Sequence, residues 1–518
     1  MRDDMAEGRS PGADDNDADE RPRVSRRLLL GTGAGLASAI ALGRSVSAQH
    51  DHGTPGATPD ESEPTPDTRD DRLLDDTGAT GDPGREGEDL EEPEVRASVD
   101  GVLETSLTAA FGPTFVNGQP KVSRTFDGLY PAPTLKMKPG ETLRLKVTND
   151  LDDVTNVHTH GFHVSPSGNS DNVFVEIQPG ETFDYEITLP ENHTPGLYWY
   201  HPHVHGDTYE HVSGGMAGAI VVEGGLDELP ELKDLTQRLL ILQSTEFDAH
   251  GVVVPVDDQH SRTQLRTVNG QLNPTIRIRP GETQRWRILN ATPENFVLLG
   301  LEGHMLHRIA NDGEPMTALV TESQVFLAPG ERSEVLVQAA SSGTYEFRQL
   351  LWGTTFQSQP DVVLATMVVE GEPVDPQPLP TTLIPFEDLR KMEVDNSREL
   401  RFDVVSDEDG THFLIDGKTF DMDRVDQTVK LGALEEWTIY NDSDEWHPFH
   451  IHINDFQVVA VNGEPYEASS LEDTRPLPPN GSITMRTRFL DYTGKYVYHC
   501  HLLFHEDMGM MGIVEVVE

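Results

Sequence analysis

Cysteine is all but absent: Cys500 is the only one in 518 residues. No intramolecular disulfide can form, so the single thiol must serve another purpose. Long apolar runs are missing too, and none approaches the ~20 residues that a membrane-spanning helix needs. Positive charge is scarce. Lys and Arg number 39 against 89 Asp and Glu, the formal charge is −50, and only nine of the basic residues are Lys. A chain this negative does not bind nucleic acid or anionic lipid through general electrostatics. Aromatic residues are few at 7%, yet hydrophobic residues reach 36%, which leaves material for real cores. The length suits about three domains of roughly 150 residues each.

The acidity is not confined to a tail. Residues 1–48 carry a net −1 and residues 49–97 a net −12, which leaves −37 for residues 98–518. Such a surface repels itself in dilute buffer, whereas at molar salt a Debye length of about 3 Å screens the repulsion. This predicts a halophilic source. Residues 1–48 read as an export signal: basic RPRVSRR precedes LLLGTGAGLASAIALG, and Val46-Ser47-Ala48 offers small residues for cleavage. The run Ser25-Arg26-Arg27-Leu28-Leu29 resembles a twin-arginine (Tat) signal, which hands folded proteins to the Tat export machinery. A chance Arg pair at an amphipathic start is the alternative. The expected destination is extracellular, with no stable membrane insertion after cleavage. Residues 49–97 are rich in Pro, Gly, Thr, Asp and Glu, and are expected to form an acidic linker without structure. His50 and His52 fall in this solvated stretch, and Asn192 and Asn480 head weak glycosylation motifs.

From residue 98 the texture is β. Short Val, Ile, Thr and Tyr-rich runs alternate with Pro-Gly and Asn-Gly turns, and strong helical periodicity is missing. Three blocks recur. PGETLRLKVTN (139–149) matches PGETQRWRILN (280–290) and, more loosely, LGALEEWTIYN (431–441). PGETFDYEITL (179–189) matches PGERSEVLVQA (329–339) and PNGSITMRTRF (479–489). GLYWYHPH (196–203) matches GTYEFRQL (343–350) and GKYVYHCH (494–501). The period is a whole domain, which predicts three tandem β-sandwiches over 98–228, 229–375 and 376–518.

The third block locates the chemistry. His201 aligns with Arg348 and His499, Pro202 with Gln349 and Cys500, and His203 with Leu350 and His501. The first block is followed by His158-Thr-His160-Gly161 in domain 1 and by His447-Pro-Phe-His450-Ile-His452 in domain 3, whereas ATPENFVLLG in domain 2 has no His. Metal therefore belongs to the outer domains, with the middle one a spacer or brace. A lone His-x-His pair on a strand is as often a polar surface pair, since residues two apart merely share a face. Four such motifs at matching places are different. Zinc needs about four ligands, while eight imidazoles suit several copper ions. Cys500 faces the other way from His499 and His501. With His447, His505 and Met510 it completes the two-His, one-Cys, weak-Met set of a blue copper site, against the alternative of an inert buried thiol.

HTHG, WYHPH, HPFHIH and HCHLLFHEDMGMM resemble the four copper motifs of the multicopper oxidases, the family of laccases, bilirubin oxidases and cuprous oxidases, over about residues 98–518. The resemblance implies three cupredoxin-like Greek-key domains and four copper ions. The type 1 (blue) copper would take His447, Cys500, His505 and Met510. Type 2 would take His158 and His450, and the type 3 pair His160, His201, His203, His452, His499 and His501. It also implies a proton-relay role for Glu506 and, beside type 2, for Asp171. The implied activity is laccase-like: one-electron oxidation of phenolic or other small organic reductants coupled to reduction of dioxygen to water. Alternatives are a metal-ion oxidase acting on Cu(I), Fe(II) or Mn(II), a copper store or electron carrier, and a copper nitrite reductase. Cuprous oxidases tend to carry a Met-rich insertion in domain 3, and here Met392 and Met422 are isolated. His205 and His211 have no assignable role, and His304 and His307, in domain 2, read as structural.

Overall fold

Each repeated Pro-Gly-Glu turn closes in the same way. In a computed structural model covering residues 87–256, 264–353, 357–408 and 410–518, Gly140, Gly180, Gly281 and Gly330 all have φ between +81° and +88°. That conformation is the one a type II turn demands at its third residue, which is why glycine stands there. The glutamate side chains of these turns then accept the backbone N–H three residues back, as Glu141 does from Lys138 (2.7 Å) and Glu282 from Arg279 (3.1 Å).

The turns connect three β-sandwiches in one compact unit, in accord with the cupredoxin-like all-β expectation. The first packs a four-stranded sheet on a five-stranded one; the second and third each pack six strands on five. The five-stranded sheets matter most. In domain 1 the order is Val95–Ala97, Thr134–Met137, Gly218–Val222, Leu197–His201, His158–His160. In domain 3 it is Gln427–Lys430, Met511–Val517, Gly494–Cys500, His447–Ile451, Thr474–Leu477. Alternation along the strands sends one side-chain set inward, and Trp286 and Trp437 anchor the cores of domains 2 and 3. Trp199 instead seals domain 1 to domain 2, with Leu197, Ala219, Ile241 and Leu289. No helix among the described residues is long and apolar enough to cross a membrane.

Each sheet-to-sheet crossing is held by one buried asparagine. Asn149, Asn290 and Asn441 end the first repeat block, and each is at most 1% exposed. Asn149 donates to Asp153 O and Ile177 O, Asn290 to Asn295 O and Leu327 O, and Asn441 to Glu445 O and Leu477 O. In the outer domains this latch fixes the loop that delivers the His-bearing strand.

Two short helices, Thr208–Gly214 and Leu503–Asp507, come after the WYHPH and HCH strands and pack together through Tyr209, Val212 and Leu503. Asp507 accepts the backbone N–H groups of Gly206, Thr208 and Tyr209 at 2.9, 3.2 and 2.7 Å, so a domain 3 carboxylate caps a domain 1 helix.

The export signal (1–48) and residues 49–86 of the acidic linker lie outside the described residues. The end of that linker departs from expectation. Asp89 bridges Thr275, Leu90 packs against the domain 2 core, and Val95–Ala97 pairs in parallel with Thr134–Met137. Exposed sheet edges offer unpaired N–H and C=O groups, and pairing with them asks for no apolar side chain.

Candidate metal centre

Strand register brings eight histidines to one place. His158 lies opposite His201 in domain 1, and His450 opposite His499 in domain 3. All eight, His158, His160, His201, His203, His450, His452, His499 and His501, are at most 3% exposed. The two sets interleave across the domain 1–3 interface. His158 stacks on His452 with centroids 4.0 Å apart, and His160 on His450 at 3.9 Å.

The ring nitrogens show what the cluster is for. His158 Nδ1 bonds Asp171 Oδ2 at 3.0 Å, His201 Nδ1 donates to Pro202 O at 2.8 Å, and His450 Nδ1 donates to Asp473 O at 2.8 Å. The Nε2 atoms of these same rings are buried with no partner. Tying Nδ1 to an acceptor leaves the Nε2 lone pair free, the outer arrangement typical of metal-bound imidazole. His499 Nδ1 donates to Cys500 O, and its Nε2 lies 3.2 Å from His203 Nε2 and 3.3 Å from His452 Nε2. His160 Nδ1 lies 3.2 Å from His501 Nε2. Burial, then repulsion from His203, lowers the pKa of His201 to about 3; for His203 burial leads and the value is about 4. His201 and His203 are therefore neutral near pH 7, and each offers a ring lone pair.

Cys500 forms a second cluster on the opposite face of its strand. Its Sγ lies 3.5 Å from His447 Nδ1 and 3.7 Å from His505 Nδ1, and these two nitrogens are 3.2 Å apart. Met510 is buried in the same core and its carbonyl accepts the Cys500 N–H. Burial drives the thiol pKa up, so a thiolate here requires a metal partner. His447 Nε2 is held 2.8 Å from the Ser443 hydroxyl, and Phe413 stacks on His505 at 4.1 Å.

Three carboxylates touch the eight-histidine cluster. Glu506 lies 3.0 Å from His499 Nδ1 and 3.5 Å from His203 Nδ1. Burial pushes its pKa up, but the imidazoles of His203, His499 and His201 outweigh this and bring it to about 2. Asp171 accepts the Thr159 N–H at 3.0 Å, and burial raises it to about 7. Asp473, which sequence reasoning missed, lies 3.1 Å from His160 Nε2. Its only sequence signal was an acid in EDTRP just before a short strand, which nothing marks out among the 89 Asp and Glu of the chain. His205 and His211 lie outside both clusters: His205 packs on Phe420, and His211 is buried in its helix. His304 and His307 sit in domain 2, against Tyr345 and Thr321.

Three segments match family models described as multicopper oxidase: residues 112–226, 240–372 and 393–518. The chain belongs to the multicopper oxidase family. The chain is 28% identical over 409 residues to the multicopper oxidase mco of Staphylococcus haemolyticus, covering 76% of this chain and 83% of that one. It superposes on the Campylobacter jejuni multicopper oxidase, described as a metallo-oxidase, with a TM-score of 0.74, 28% identity, and coverage of 84% and 96%. A laccase-like multicopper oxidase of Ochrobactrum sp., active towards lignin model compounds, superposes with a TM-score of 0.72, 27% identity, and coverage of 83% and 100%. Members of the family are copper-binding oxidoreductases that use dioxygen, and the donor set of this chain fits that metal: imidazole nitrogens with free lone pairs at one cluster, and two imidazoles beside one thiol at the other.

Proposed function

We propose that the chain is an extracellular laccase-like oxidase that takes single electrons from small organic reductants at His505 and passes them to dioxygen at the eight-histidine centre. One observation carries the choice of substrate side. His447, Cys500 and Met510 are 0% exposed, while His505 is 8% exposed beside Phe504, which is 37% exposed. A flat aromatic reductant stacks on such a surface, and His505 is the ligand it reaches.

The assignment is four coppers: type 1 on His447, Cys500, His505 and Met510, type 2 on His158 and His450, and the type 3 pair on the remaining six imidazoles. Bound copper supplies one-electron oxidation at the first site and four-electron reduction of dioxygen to water at the other three. The chain does the rest. Cys500 is covalently next to both His499 and His501, which gives electrons a short through-bond route between clusters. Asp171 and the backbone carbonyls hold Nδ1 protons so that Nε2 faces inward. Glu506 is the proton relay, touching two ligands on the side away from their free nitrogens and passing protons on as an ionised carboxylate, with Asp171, raised to about 7, the reserve that holds a proton near neutral pH. Export by the Tat machinery and a halophilic source complete the reading, supported by the twin arginines and the acidity of residues 98–518.

The deciding experiment is a steady-state comparison of phenols with Cu(I) and Fe(II) while dioxygen uptake is followed. Higher kcat/KM for phenols supports the proposal. Higher values for the ions favour metal-ion oxidation, the second reading, which rests on the Glu445 carboxylate 3.8 Å from His505 Nε2. No uptake with either leaves a copper store. Replacing Arg26 and Arg27 by Lys should retain the precursor inside the cell, and dialysis to low salt should reduce activity. Normal export, or full activity in dilute buffer, would refute those two points.

A further inference from the structure

Domain 2 supplies no ligand, yet its Arg332 reaches the heart of the site. The side chain is fully buried, and each of its nitrogens has a partner. Nε donates to Leu197 O of domain 1 at 3.1 Å, Nη2 to Asp312 O of domain 2 at 2.8 Å, and Nη1 to Gly330 O at 3.3 Å. The planar fork also grips Asp473 of domain 3, with Nη1 on Oδ1 at 2.8 Å and Nη2 on Oδ2 at 2.6 Å. Asp312, again of domain 2, accepts the backbone N–H groups of Asp473 and Thr474 at 3.4 and 3.3 Å. Asp473 is thus fixed from the middle domain through both main chain and side chain.

What Asp473 then touches gives the grip its meaning. Its Oδ1 lies 3.1 Å from His160 Nε2, and its main-chain oxygen accepts from His450 Nδ1. His160 is turned the opposite way from His158, His201, His450 and His499. Those four engage an acceptor through Nδ1, whereas His160 engages Asp473 through Nε2 and points Nδ1 at His501. A neutral imidazole carries one proton, so a carboxylate held at Nε2 keeps the proton there and leaves Nδ1 as the donor atom. Unheld, the ring has the other tautomer and a flipped orientation open to it.

The glycine of HTHG belongs to the same device. A Cβ on Gly161 would lie 2.5 Å from Arg332 Nη2 and 2.6 Å from Asp473 Oδ2. The guanidinium–carboxylate pair packs on the bare Cα beside His160, and any other residue would push it away.

We propose that Arg332 is a positioning residue for the histidine centre, acting through Asp473 to fix the tautomer and orientation of His160 and the placement of His450. This rests on the copper reading of the site given above. Arg is suited to the task because its planar fork matches a carboxylate bidentately, which a lysine ammonium does not.

The test uses copper-loaded full-length protein as wild type, Arg332→Met and Arg332→Lys. Copper per chain, the blue band of the Cys500 site, the electron paramagnetic resonance spectrum and chelator competition are measured on each. Arg332→Met is expected to keep the blue band while copper in the histidine centre is retained about 10–100-fold more weakly, the range for a lost outer partner of a ligand, and its non-blue resonance changes shape. Arg332→Lys restores part of the charge and only part of the retention. The blue site is the internal control, since a general packing defect weakens both sites and a positioning defect spares it. If Arg332→Met does not fold, Gly161→Ala, which displaces the same pair, is expected to give the same split. Full copper with an unaltered non-blue resonance in either variant overturns the proposal, and so does equal loss at both sites. A wild-type protein that shows no blue band and no dioxygen uptake refutes the copper reading itself, before any variant is compared.

Discussion

Asn290 in domain 2 and Asn441 in domain 3 hold their loops by matching hydrogen bonds, one amide donating to two backbone oxygens while its own oxygen accepts the N–H two residues on. The strands beyond the two latches differ. In domain 3 the latch delivers the strand in which His450 faces His499; in domain 2 the corresponding strand pair sets Gly300 opposite Arg348. Arg348 turns to Asp361 on the surface. Backbone plan and ligand set are therefore separable. The sandwich, its turns and its latch specify where two side chains meet, and the identity of those side chains alone decides whether the place is a metal site. Relieved of ligands, domain 2 contributes from outside, through Arg332, Asp312 and Gly330.

The comparison breaks most sharply at Cys500, which stands where the other two domains have Pro202 and Gln349. Cys500→Ser should abolish the blue absorption, which arises from charge transfer out of a thiolate, and with it all oxidation of reductant. Visible spectra and dioxygen uptake check this, and a blue, active variant would remove the type 1 assignment. Glu506→Gln is the next step down. The amide keeps the shape but cannot cycle a proton. Anaerobic bleaching of the blue band by substrate should stay normal while reoxidation by dioxygen slows ten-fold or more, on the ~10²–10⁴ scale of general acid–base effects. Stopped-flow kinetics separate the two phases. Unchanged reoxidation would make Asp171 the better donor.

Much of this architecture was legible in the chain. The three-fold block repeat carries the sandwiches, and loss of histidine in the middle copy points to the outer domains, because register and alternation convert spacing into facing. Arg332 and Asp473 were not legible. A buried charge pair between domains has no periodicity, and in so acidic a sequence Asp473 stands out only once its neighbours in space are known. The pairing of residues 87–97 was hidden for a similar reason. Composition reports what a segment can bury, whereas an edge strand is recruited by backbone groups that composition does not describe.

A finer cut sets latch against latch. Asn290→Ala and Asn441→Ala should destabilise the protein to a similar degree, about 1–3 kcal/mol for each buried group left without a partner. Only Asn441→Ala should also shift the blue band. Asn441 Oδ1 accepts the Ser443 hydroxyl at 2.8 Å, and that hydroxyl lies 2.8 Å from His447 Nε2. Thermal melts give the first quantity and visible absorption the second. Equal spectral change in both variants would mean that the latch acts only through global stability.

The smallest expected effect concerns the histidines that bind nothing. His307 in domain 2 is half-buried and its Nδ1 lies 2.9 Å from the Thr321 hydroxyl. His211 in domain 1 is fully buried, and neither ring nitrogen has a partner among the described residues. Burial, and then the nearby Arg124 charge, lower its pKa from 6.5 to about 3. The unfolded chain therefore binds a proton that the folded chain refuses between those values. Stability from the neutral ring is fully present above about pH 6.5 and declines as the pH falls toward 3, by at most about 1.4 kcal/mol per pH unit. His211→Leu removes both the proton site and two unsatisfied nitrogens. In copper-loaded protein the variant should match or exceed the wild-type melting temperature at pH 7, and its advantage should widen steadily from pH 6.5 to pH 4. The same comparison with His307→Leu should show a weaker dependence, because a half-exposed ring is less reluctant to charge. Parallel melting curves for His211→Leu and wild type across that range would show that this buried ring takes up its proton without unfolding, and that helix Thr208–Gly214 opens to water more readily than its packing against Leu503 implies.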